Sequence, residues 1–410
     1  MIPIAKPYLG EEEAAAARET ILSGWVTQGP KVKQFEDNFA AFVSSKYACA
    51  VSSCTTALHL ALLVVGVKPG DVVITVSHSF IATANAVRHC GAEPVFVDID
   101  PDTFNMSPEL LKKCLYKDCE VQDGLLFYRD VSKLAVSESP LCHLANKKSK
   151  NKNSRIGRIA AIMPVHQMGM PCDLDAILSL AHEFNLLVVE DAACATGSEI
   201  KINARWEKIG KPHGDIACFS FHPRKVLTTG DGGMITTDNA DIANTAIKLR
   251  NSGRTAKYEH DIIGYTARLN TINAAIGRIQ LKRLDEWNNK RRNIARQYMK
   301  ELNELEDYIK LPPQGPSYIT PVFHLFVIRT AQRDALHSWL KKLGIECGVH
   351  YPIPIPLQPV YRSLYGFKEG DFPVSEHYGA TCLSLPMHPN LEDDDIRFIC
   401  EQIKIFHEHS

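Results

Sequence analysis

The sequence contains no apolar run approaching the roughly 20 residues that a membrane-spanning helix needs. Its first residues lack the charged-then-apolar order of a secretion signal. The formal net charge is −1, so the chain has no global basic field that would attract a nucleic acid. We therefore expect a cytoplasmic protein whose partners are neither membranes nor nucleic acids.

The 12 cysteines include no CxxC pair. Scattered cysteines in a long chain are typical of reduced cytoplasmic thiols rather than of a disulfide framework, and we predict no metal site. What the sequence does have is 410 residues with a hydrophobic fraction of 45%. This is enough for two domains and a substantial core.

Short apolar runs alternate with helix-like segments through the first 240 residues. The predicted strands are 72–76, 94–98, 159–165, 186–190, 216–221 and 233–237, and the predicted helices are 55–66, 80–90 and 173–184. The strands are apolar on both parities, which is typical of strands covered on both faces. The alternation predicts an α/β fold with a mostly parallel central sheet covered by helices.

The pattern changes near residue 271, where a long amphipathic helix begins. The elements predicted from there on are a helix over 271–305, a strand over 322–328, a helix over 334–343 and a final helix after Pro389. We predict a large domain of residues 1–255 and a small C-terminal α+β domain of residues 256–410.

The segment 116–157 is long for a connection inside a compact domain. It contains a basic, polar run at 147–153. Two interpretations stay open here: a solvated surface excursion, or a contact with substrate or with another subunit.

Lys225 lies between an apolar run at 219–221 and a glycine-rich turn at 230–233. A lysine in such a place is either an ordinary surface cation or an amine placed to condense with a carbonyl. The second interpretation requires a phosphate cradle, a carboxylate and an aromatic face. The sequence offers a candidate for each.

The segment 52–58 places hydroxyl residues before an apolar helix, whose first N–H groups bind an anion or are simply capped. Asp191 ends a buried strand, where it either caps the next turn or pairs with a protonated ring nitrogen. Phe80 follows a strand end and is either a core residue or a ring-stacking one. Ser220 can add a hydroxyl for the phosphate. Together with Lys225 these are the parts that pyridoxal phosphate (PLP) requires.

Ordered motifs along nearly the whole chain resemble the sugar-nucleotide aminotransferases of the DegT/DnrJ/EryC/StrS family. The motifs are 24–30, 53–58, 70–74, 97–100, 165–169, 190–193, 219–233, 280–281, 350–352 and 384–389. The resemblance implies the aspartate-aminotransferase fold (PLP fold type I) with PLP as cofactor. It also implies a homodimer with the active site between the subunits, a nucleotide-sugar substrate and glutamate as the usual amino donor.

By this resemblance Lys225 forms the Schiff base with the cofactor, and Asp191 pairs with its pyridine nitrogen. Phe80 stacks on the ring, while Thr55 and Ser220 hold the phosphate. Further candidates for contacts with substrate or with the partner subunit are Arg268, His350 and Tyr351. A structural role explains His350 equally well.

Three candidate cofactor-binding residues depart from the family pattern. Cys54 stands where the family usually has Gly, and its backbone N–H is still available to the cradle. Cys194 stands where the family usually has Gln, and a thiol cannot reproduce the contacts of an amide beside the cofactor's phenolic oxygen. Thr266 replaces an Asn that reaches across the dimer to the phosphate, and it is shorter.

We therefore predict a PLP-dependent aminotransferase that converts a nucleotide-linked ketosugar to an aminosugar for lipopolysaccharide or another surface glycan. One family branch has histidine instead of the lysine and catalyses dehydration, and Lys225 argues against that branch. Two alternatives stay open: another PLP enzyme, such as a sugar dehydratase or one acting on a free amino acid or a cyclitol ketone, and a PLP-binding regulatory protein without turnover.

Overall fold

The computed structural model describes residues 1–135 and 156–408. Its strands, in chain order, are β1 (Tyr47–Val51), β2 (Val72–Val76), β3 (Glu93–Val97), β4 (Cys119–Gln122), β5 (Leu125–Tyr128), β6 (Ile159–Met163), β7 (Leu187–Asp191), β8 (Glu199–Ile202), β9 (Arg205–Lys208), β10 (Ile216–Ser220), β11 (Gly233–Thr237), β12 (Ile319–Thr320), β13 (Phe326–Arg329) and β14 (Cys382–Leu385). Its helices are α1 (Glu11–Leu22), α2 (Pro30–Val43), α3 (Cys54–Val64), α4 (Ala82–His89), α5 (Pro108–Lys113), α6 (Leu174–Glu183), α7 (Ala240–Arg250), α8 (Thr271–Leu302), α9 (Arg333–Lys342), α10 (Pro359–Tyr365), α11 (Pro373–Thr381) and α12 (Asp393–Glu408).

A seven-stranded sheet with the order β1-β11-β10-β7-β6-β2-β3 forms the main scaffold. The pairs β10–β7, β7–β6, β6–β2 and β2–β3 are parallel, and β11 runs antiparallel to both of its neighbours. All five residues of β2, β6, β10 and β11 are buried, as expected for strands covered on both faces. The predicted mostly parallel α/β fold is thus confirmed.

The two faces of the sheet carry separate apolar clusters. On one face Phe35 and Phe39 of α2 pack against Phe219 and Phe221. On the other face the apolar side chains of α3 and α4 pack against the sheet, with Leu58 and other residues fully buried. This double covering fixes the strand ends in place, so the residues that follow those ends are held on a rigid base.

The long helix α8 connects this scaffold to a second core. Its first half packs Leu284 into the main cluster, while Ile294 and Tyr298 belong to a cluster with β13, β14, α9 and α12. Ile2 packs against this second cluster too, and its N–H donates to Gly344 O at 2.8 Å. The division of the chain at residues 255 and 256 stays a prediction.

The described part of the segment 116–157 forms a β-hairpin of β4 and β5. Leu126 and Phe127 of this hairpin are buried, and Phe127 pairs with Arg158 at the start of β6. The hairpin is therefore packed on the scaffold. The basic run at 147–153 lies outside the described residues.

Among the helices of residues 1–135 and 156–408, none combines the length and the apolar character needed to cross a bilayer.

Candidate active site

The carboxyl ends of the parallel strands meet at one edge of the sheet, which is where ligands of open α/β sheets bind. Asp191 ends β7 and Ser220 ends β10 at this edge. Gly233, at the start of the antiparallel β11, pairs with both Ser220 and Val51, the last residue of β1. The four strands thereby bring the predicted carboxylate, hydroxyl and cradle residues together.

Lys225 lies in the loop between β10 and β11, above this edge. The loop is folded back on itself, because Lys225 N donates to His222 O at 2.8 Å and Phe221 N donates to Gly232 O at 2.9 Å. The Lys225 side chain is partly buried, and its Nζ donates to Cys194 Sγ at 3.1 Å. Burial by itself lowers the pKa of Lys225, but the ionisable Cys194 and Tyr351 beside it outweigh burial, so the pKa is raised.

Asp191 is almost inaccessible, with 3% of its surface exposed. Its carboxylate accepts hydrogen bonds from Thr83 Oγ1 at 2.8 Å and from Ala193 N at 3.1 Å. Burial raises the pKa of Asp191, and these two hydrogen bonds act in the opposite direction. The carboxylate is therefore held in one orientation by donors that favour its charged form.

A second buried acid, Glu190, is paired with His166 behind Asp191. Cys172 N donates to His166 Nδ1 at 3.0 Å, so Nε2 carries the proton that His166 directs to Glu190 at 3.0 Å. Burial raises the pKa of Glu190, but the hydrogen bond from His166 reverses the shift and the pKa is lowered. The pair ties the end of β7 to the chain after β6.

The start of α3 forms the predicted cradle. The Ser53 side chain caps the helix by accepting from Thr56 N at 3.1 Å. The N–H groups of Cys54 and Thr55, which have no acceptor within the helix, remain available to a ligand. Gly233 crosses directly beneath, and a Cβ there would lie 2.5 Å from the Ser53 carbonyl and 2.7 Å from Cys54 N. Only glycine lets β11 approach the cradle this closely.

Phe80 is 57% exposed, so the alternative of a core residue was wrong. Its ring centroid lies 5.9 Å from that of Tyr351, whose pKa is raised to about 12 by burial. Tyr351 N donates to His78 Nε2 at 3.1 Å. His350, the neighbour of Tyr351, bonds through Nδ1 to Ser384 Oγ at 2.8 Å, and burial lowers its pKa to about 4.

Thr266 and Arg268 lie beside the cradle, on its exposed side. Ser52 N donates to Ala267 O at 3.0 Å, and Arg268 pairs with Val51 at the end of β1. Arg268 Nη1 donates to Asn251 Oδ1 at 3.3 Å, whereas Thr266 is exposed. These residues therefore border the predicted cradle on a side where Thr266 is exposed.

Sequence reasoning did not single out Thr83 or His324, whereas it did name Gly233 as a position that allows close backbone approach. His324 is buried, and burial together with the nearby positive charge of Lys225 lowers its pKa strongly. The hydroxyls of Thr83 and Ser79 lie 2.9 Å apart, but no local pattern in the sequence connects Thr83 with Asp191. No local signal marks His324, which lies 324 − 225 = 99 positions along the chain from Lys225.

Comparison with known proteins places the chain among aminotransferases. The profile of the DegT/DnrJ/EryC1/StrS aminotransferase family matches residues 7–119 and 147–404. A dTDP-3-amino-3,4,6-trideoxy-alpha-D-glucose transaminase from Streptomyces venezuelae is 37% identical over 383 residues, covering 93% of this chain and 88% of that protein. The spore coat polysaccharide biosynthesis protein SpsC of Bacillus subtilis is 34% identical over 430 residues, covering 98% and 96%.

A solved structure is similar along its whole length. The sugar aminotransferase Spr1654 of Streptococcus pneumoniae, described as putative and solved in its PLP form, superposes with a TM-score of 0.82 at 26% identity. The superposition covers 100% of this chain and 99% of that one.

Proposed function

The chain belongs to the DegT/DnrJ/EryC1/StrS aminotransferase family, and from this premise we propose that it aminates the keto carbon of a nucleotide-linked sugar, with glutamate as amino donor. As a member of that family the protein is a PLP-dependent sugar aminotransferase. The observation that carries the proposal is the convergence at one sheet edge of a lysine amine, a buried carboxylate and the N-terminus of α3.

The residues at this edge fit the three functional groups of PLP. Lys225 Nζ would bind the aldehyde, Asp191 the ring nitrogen, and the first N–H groups of α3 at Cys54 and Thr55 the phosphate, with Ser220 beside them. Phe80 presents an exposed ring that can cover one face of the cofactor. When bound, PLP supplies an electron sink that delocalises negative charge from the reacting carbon.

The protein's own residues supply the proton chemistry. Thr83 and Ala193 orient Asp191, which as an anion would pair with the ring nitrogen and keep it protonated. Lys225, when its amine is free, would be the base placed at this edge to hold or move a proton of the substrate. Tyr351 and Phe80, whose ring centroids lie 5.9 Å apart, would lie beside the bound cofactor.

We further propose a homodimer whose interface contains the active site. Several large apolar side chains are exposed on the single chain, a pattern that marks interaction surfaces. They include Trp25, Val26, Tyr258, Ile263 and Tyr265. Because Tyr265 precedes Thr266 beside the cradle, a partner bound there would close the open side of the phosphate site.

A role in surface polysaccharide biosynthesis is proposed from the names of relatives. The B. subtilis relative is named for spore coat polysaccharide biosynthesis, and the S. venezuelae relative is named for a dTDP-linked aminosugar. The cytoplasm remains the proposed location. In residues 1–135 and 156–408 each of the cysteines is a free thiol, which supports a reducing compartment.

The half-reaction with glutamate provides the test. The yellow PLP form, mixed with glutamate alone, should convert to the pyridoxamine form with release of 2-oxoglutarate. A panel of dTDP-, UDP- and GDP-linked ketosugars is then added, and the aminated product is identified by mass spectrometry. Conversion of a sugar without an amino donor would instead indicate a dehydratase. A bound cofactor that no amino donor converts would indicate a regulatory protein without turnover.

The oligomer is tested separately by sedimentation equilibrium. We expect a dimer, and mixed dimers of the Lys225→Ala chain with wild type should keep about half of the wild-type activity per dimer. A monomer with full activity would refute the interface site.

A further inference from the structure

A cavity, which we call the Phe104 cavity, lies between the turn after β3, the turn after β6 and strand β13. Its walls are mostly apolar, and they include Phe104, Met168, Pro312, Phe323, Val327 and Tyr378. It holds about 350 Å³ of space, part of it open to solvent, which is at the lower end of the range of small-molecule sites. Among its described lining residues there is none that we assign to the cofactor. The cavity is therefore distinct from the site around Lys225.

The hydroxyl of Tyr378 is a hydrogen-bond donor without a partner. Tyr378 is 1% exposed, and its hydroxyl has no hydrogen-bond partner in residues 1–135 and 156–408. The polar side chains of Thr103 and Gln167 also line the cavity, but both are engaged. Thr103 Oγ1 donates to Asp100 Oδ1 at 2.9 Å, and the Gln167 amide donates to His78 O. Because an unpartnered buried hydroxyl is costly, a ligand that accepts from Tyr378 would remove this cost.

Arg329 brings a positive charge to the same cavity. It follows Val327 by two residues on β13, so both side chains lie on one face of the strand. Its Cζ lies 4.7 Å from the centroid of the Phe104 ring, and the centroid of the Tyr378 ring lies 4.3 Å from that of Phe104. The guanidinium and the Tyr378 ring therefore both contact one wall residue.

The guanidinium of Arg329 has no counter-ion in direct contact. Within the described ranges no carboxylate forms a salt bridge with it, and its Nε is buried without an acceptor. Burial lowers the pKa of Arg329, and the nearby Tyr378 and Asp102 do not offset this shift. A partly buried cation without a paired anion favours an anionic ligand.

The cavity walls also contain strained backbone. Phe104, Met168 and Phe323 all have left-handed conformations, with φ angles of 62°, 53° and 51°. Residues other than glycine rarely adopt this conformation, and such positions are concentrated at ligand and active sites. Three of them around one cavity support a functional reading of its shape.

We propose that the Phe104 cavity is a second ligand site, which binds a small carboxylic acid with an apolar aromatic or branched body. The carboxylate would pair with Arg329 and accept the hydrogen bond from the Tyr378 hydroxyl. The apolar body would contact the side chains of Met168 and Phe323. An uncharged molecule of the same shape would use the same walls but would leave Arg329 without a counter-charge. The proposal does not depend on the role of Lys225.

The first experiment titrates the PLP-bound protein with 4-fluorobenzoate and with its uncharged analogue 4-fluorobenzamide, and fluorine NMR gives the two dissociation constants. We expect the benzoate to bind at least about tenfold more tightly, because its hydrogen bonds with the two donors are charge-assisted. Acetate should compete only weakly with the benzoate, since it has no body to contact the walls. Equal affinities for the benzoate and the benzamide would overturn the proposal.

Arg329→Met and Tyr378→Phe test the two donors separately. Arg329→Met should weaken binding of 4-fluorobenzoate about tenfold or more and leave that of 4-fluorobenzamide unchanged. Tyr378→Phe should weaken both, since the hydroxyl donates to an oxygen of either ligand. Tyr361→Phe in α10 is the matched control, because Tyr361 is also 1% exposed but its hydroxyl bonds to Asn85 Oδ1 at 2.9 Å. This control should bind both ligands as the wild type does.

Thermal unfolding of the ligand-free variants distinguishes a lost ligand contact from a lost fold. Tyr378→Phe removes a hydroxyl without a partner, so its melting temperature should equal or exceed that of the wild type. Tyr361→Phe breaks a hydrogen bond, so its melting temperature should fall. A fall in Tyr378→Phe as large as that in Tyr361→Phe would show that the Tyr378 hydroxyl is already bonded, which contradicts the proposal.

The visible absorption of bound PLP separates this cavity from the active site. It should stay unchanged as 4-fluorobenzoate is added, whereas a spectral shift that follows the titration would place the benzoate at the cofactor and overturn the proposal. Failure of the benzoate to bind at millimolar concentrations, or wild-type affinity in both Arg329→Met and Tyr378→Phe, would also overturn it. None of these outcomes bears on whether PLP attaches to Lys225, on which the proposed function depends.

Discussion

The hydroxyl of Thr83 is the clearest point at which the geometry of the site can be perturbed without changing its shape. Thr83 Oγ1 donates to Asp191 Oδ2 at 2.8 Å. Because the hydroxyl proton of Thr83 is used in this bond, Thr83 Oγ1 accepts the hydrogen bond from Ser79 Oγ at 2.9 Å. Thr83 is 1% exposed, so water has little access to replace the hydroxyl. Thr83→Val removes the oxygen, keeps the branched shape, and leaves both Ser79 and Asp191 short of a partner.

The expected magnitude follows from the charge of the acceptor. A hydrogen bond to a charged group contributes about 1.5–3 kcal/mol, and 1.4 kcal/mol corresponds to a factor of about ten in a rate or an equilibrium constant. Without Thr83, burial raises the pKa of Asp191 further, and its anion holds the ring proton less well. We therefore expect the rate of the glutamate half-reaction to fall about 10- to 100-fold.

The same substitution has a pH signature in the cofactor-free protein. The pKa of Asp191 is raised in the folded state above its ordinary value of 3.8. At pH values between the ordinary pKa and the raised one, the folded state binds more protons than the unfolded state. The free energy of unfolding therefore falls as pH rises through this range. Because Thr83→Val raises the pKa of Asp191 further, this pH range extends to higher pH. The free energy of unfolding at pH 7 should then fall by about 1–3 kcal/mol.

Stopped-flow absorbance with glutamate measures the rate, and urea unfolding between pH 4 and 8 measures the stability. Thr75→Val is the matched control, because Thr75 is equally buried in β2 but donates to the Met163 carbonyl at 2.8 Å, away from Asp191. The control should lose stability but keep its half-reaction rate. The reasoning would be refuted if Thr83→Val kept the wild-type half-reaction rate, or if Thr75→Val lost as much of that rate as Thr83→Val.

Three further predictions concern the cradle, a buried ion pair and acid stability. Gly233→Ala should weaken PLP binding about tenfold or more in equilibrium dialysis, because the added Cβ would lie 2.5 Å from backbone atoms of Ser53. The control Gly10→Ala, whose added Cβ has its nearest contact at 3.8 Å, should bind PLP normally. Equal affinities of the two variants would contradict the close packing at Gly233. Arg250→Met should lower the free energy of unfolding by about 3–5 kcal/mol in urea, because it leaves Glu36 buried and unpaired, and a loss below about 1 kcal/mol would contradict this. The pKa of His350 is lowered to about 4 from 6.5, so the free energy of unfolding decreases as pH falls between these two values. His350→Gln should reduce the pH dependence of unfolding in this range by about one proton. An unchanged slope would show that His350 is not buried in its neutral form.

The sequence predicted the central sheet well because each parallel strand is short, apolar and buried on both faces. The strands at 72–76 and 233–237 were predicted with their observed bounds. The element missed at the sheet edge was β1, whose Tyr47 is exposed and whose alanines and cysteine give little pattern. Its position depends on antiparallel pairing with β11, a contact between distant parts of the chain.

Helices α1, α2 and α7 were also missed, although Val32, Phe35, Phe39 and Val43 of α2 do follow a helical spacing in the sequence. For α1 the reason is similar to that for β1. The sequence of α1 is rich in alanine and glutamate, and it buries few residues, so its apolar periodicity is weak. It is held mainly by packing against α8 from much later in the chain, where Arg283 bonds to Glu12. Local periodicity cannot show such support.

Within the site, sequence reasoning found residues that follow strand ends and missed those brought in by packing. Lys225, Asp191 and Ser220 could be proposed because their strands end where ligands bind in such folds. The bond from Thr83 to Asp191 spans 191 − 83 = 108 positions, so only the folded chain reveals it. The contact of Cys194 with Lys225 likewise became visible only in the structure.

The account depends above all on Lys225 as the residue that binds PLP. Sodium borohydride reduces the C=N linkage between a lysine and the cofactor, so the treated protein can be digested and the attachment site read by peptide mass spectrometry. We predict that the wild type loses its yellow absorption and that pyridoxyl phosphate is found on the peptide containing Lys225, while Lys225→Ala is colourless and unlabelled. Attachment to another lysine, or a wild type that never takes up PLP, would contradict the account.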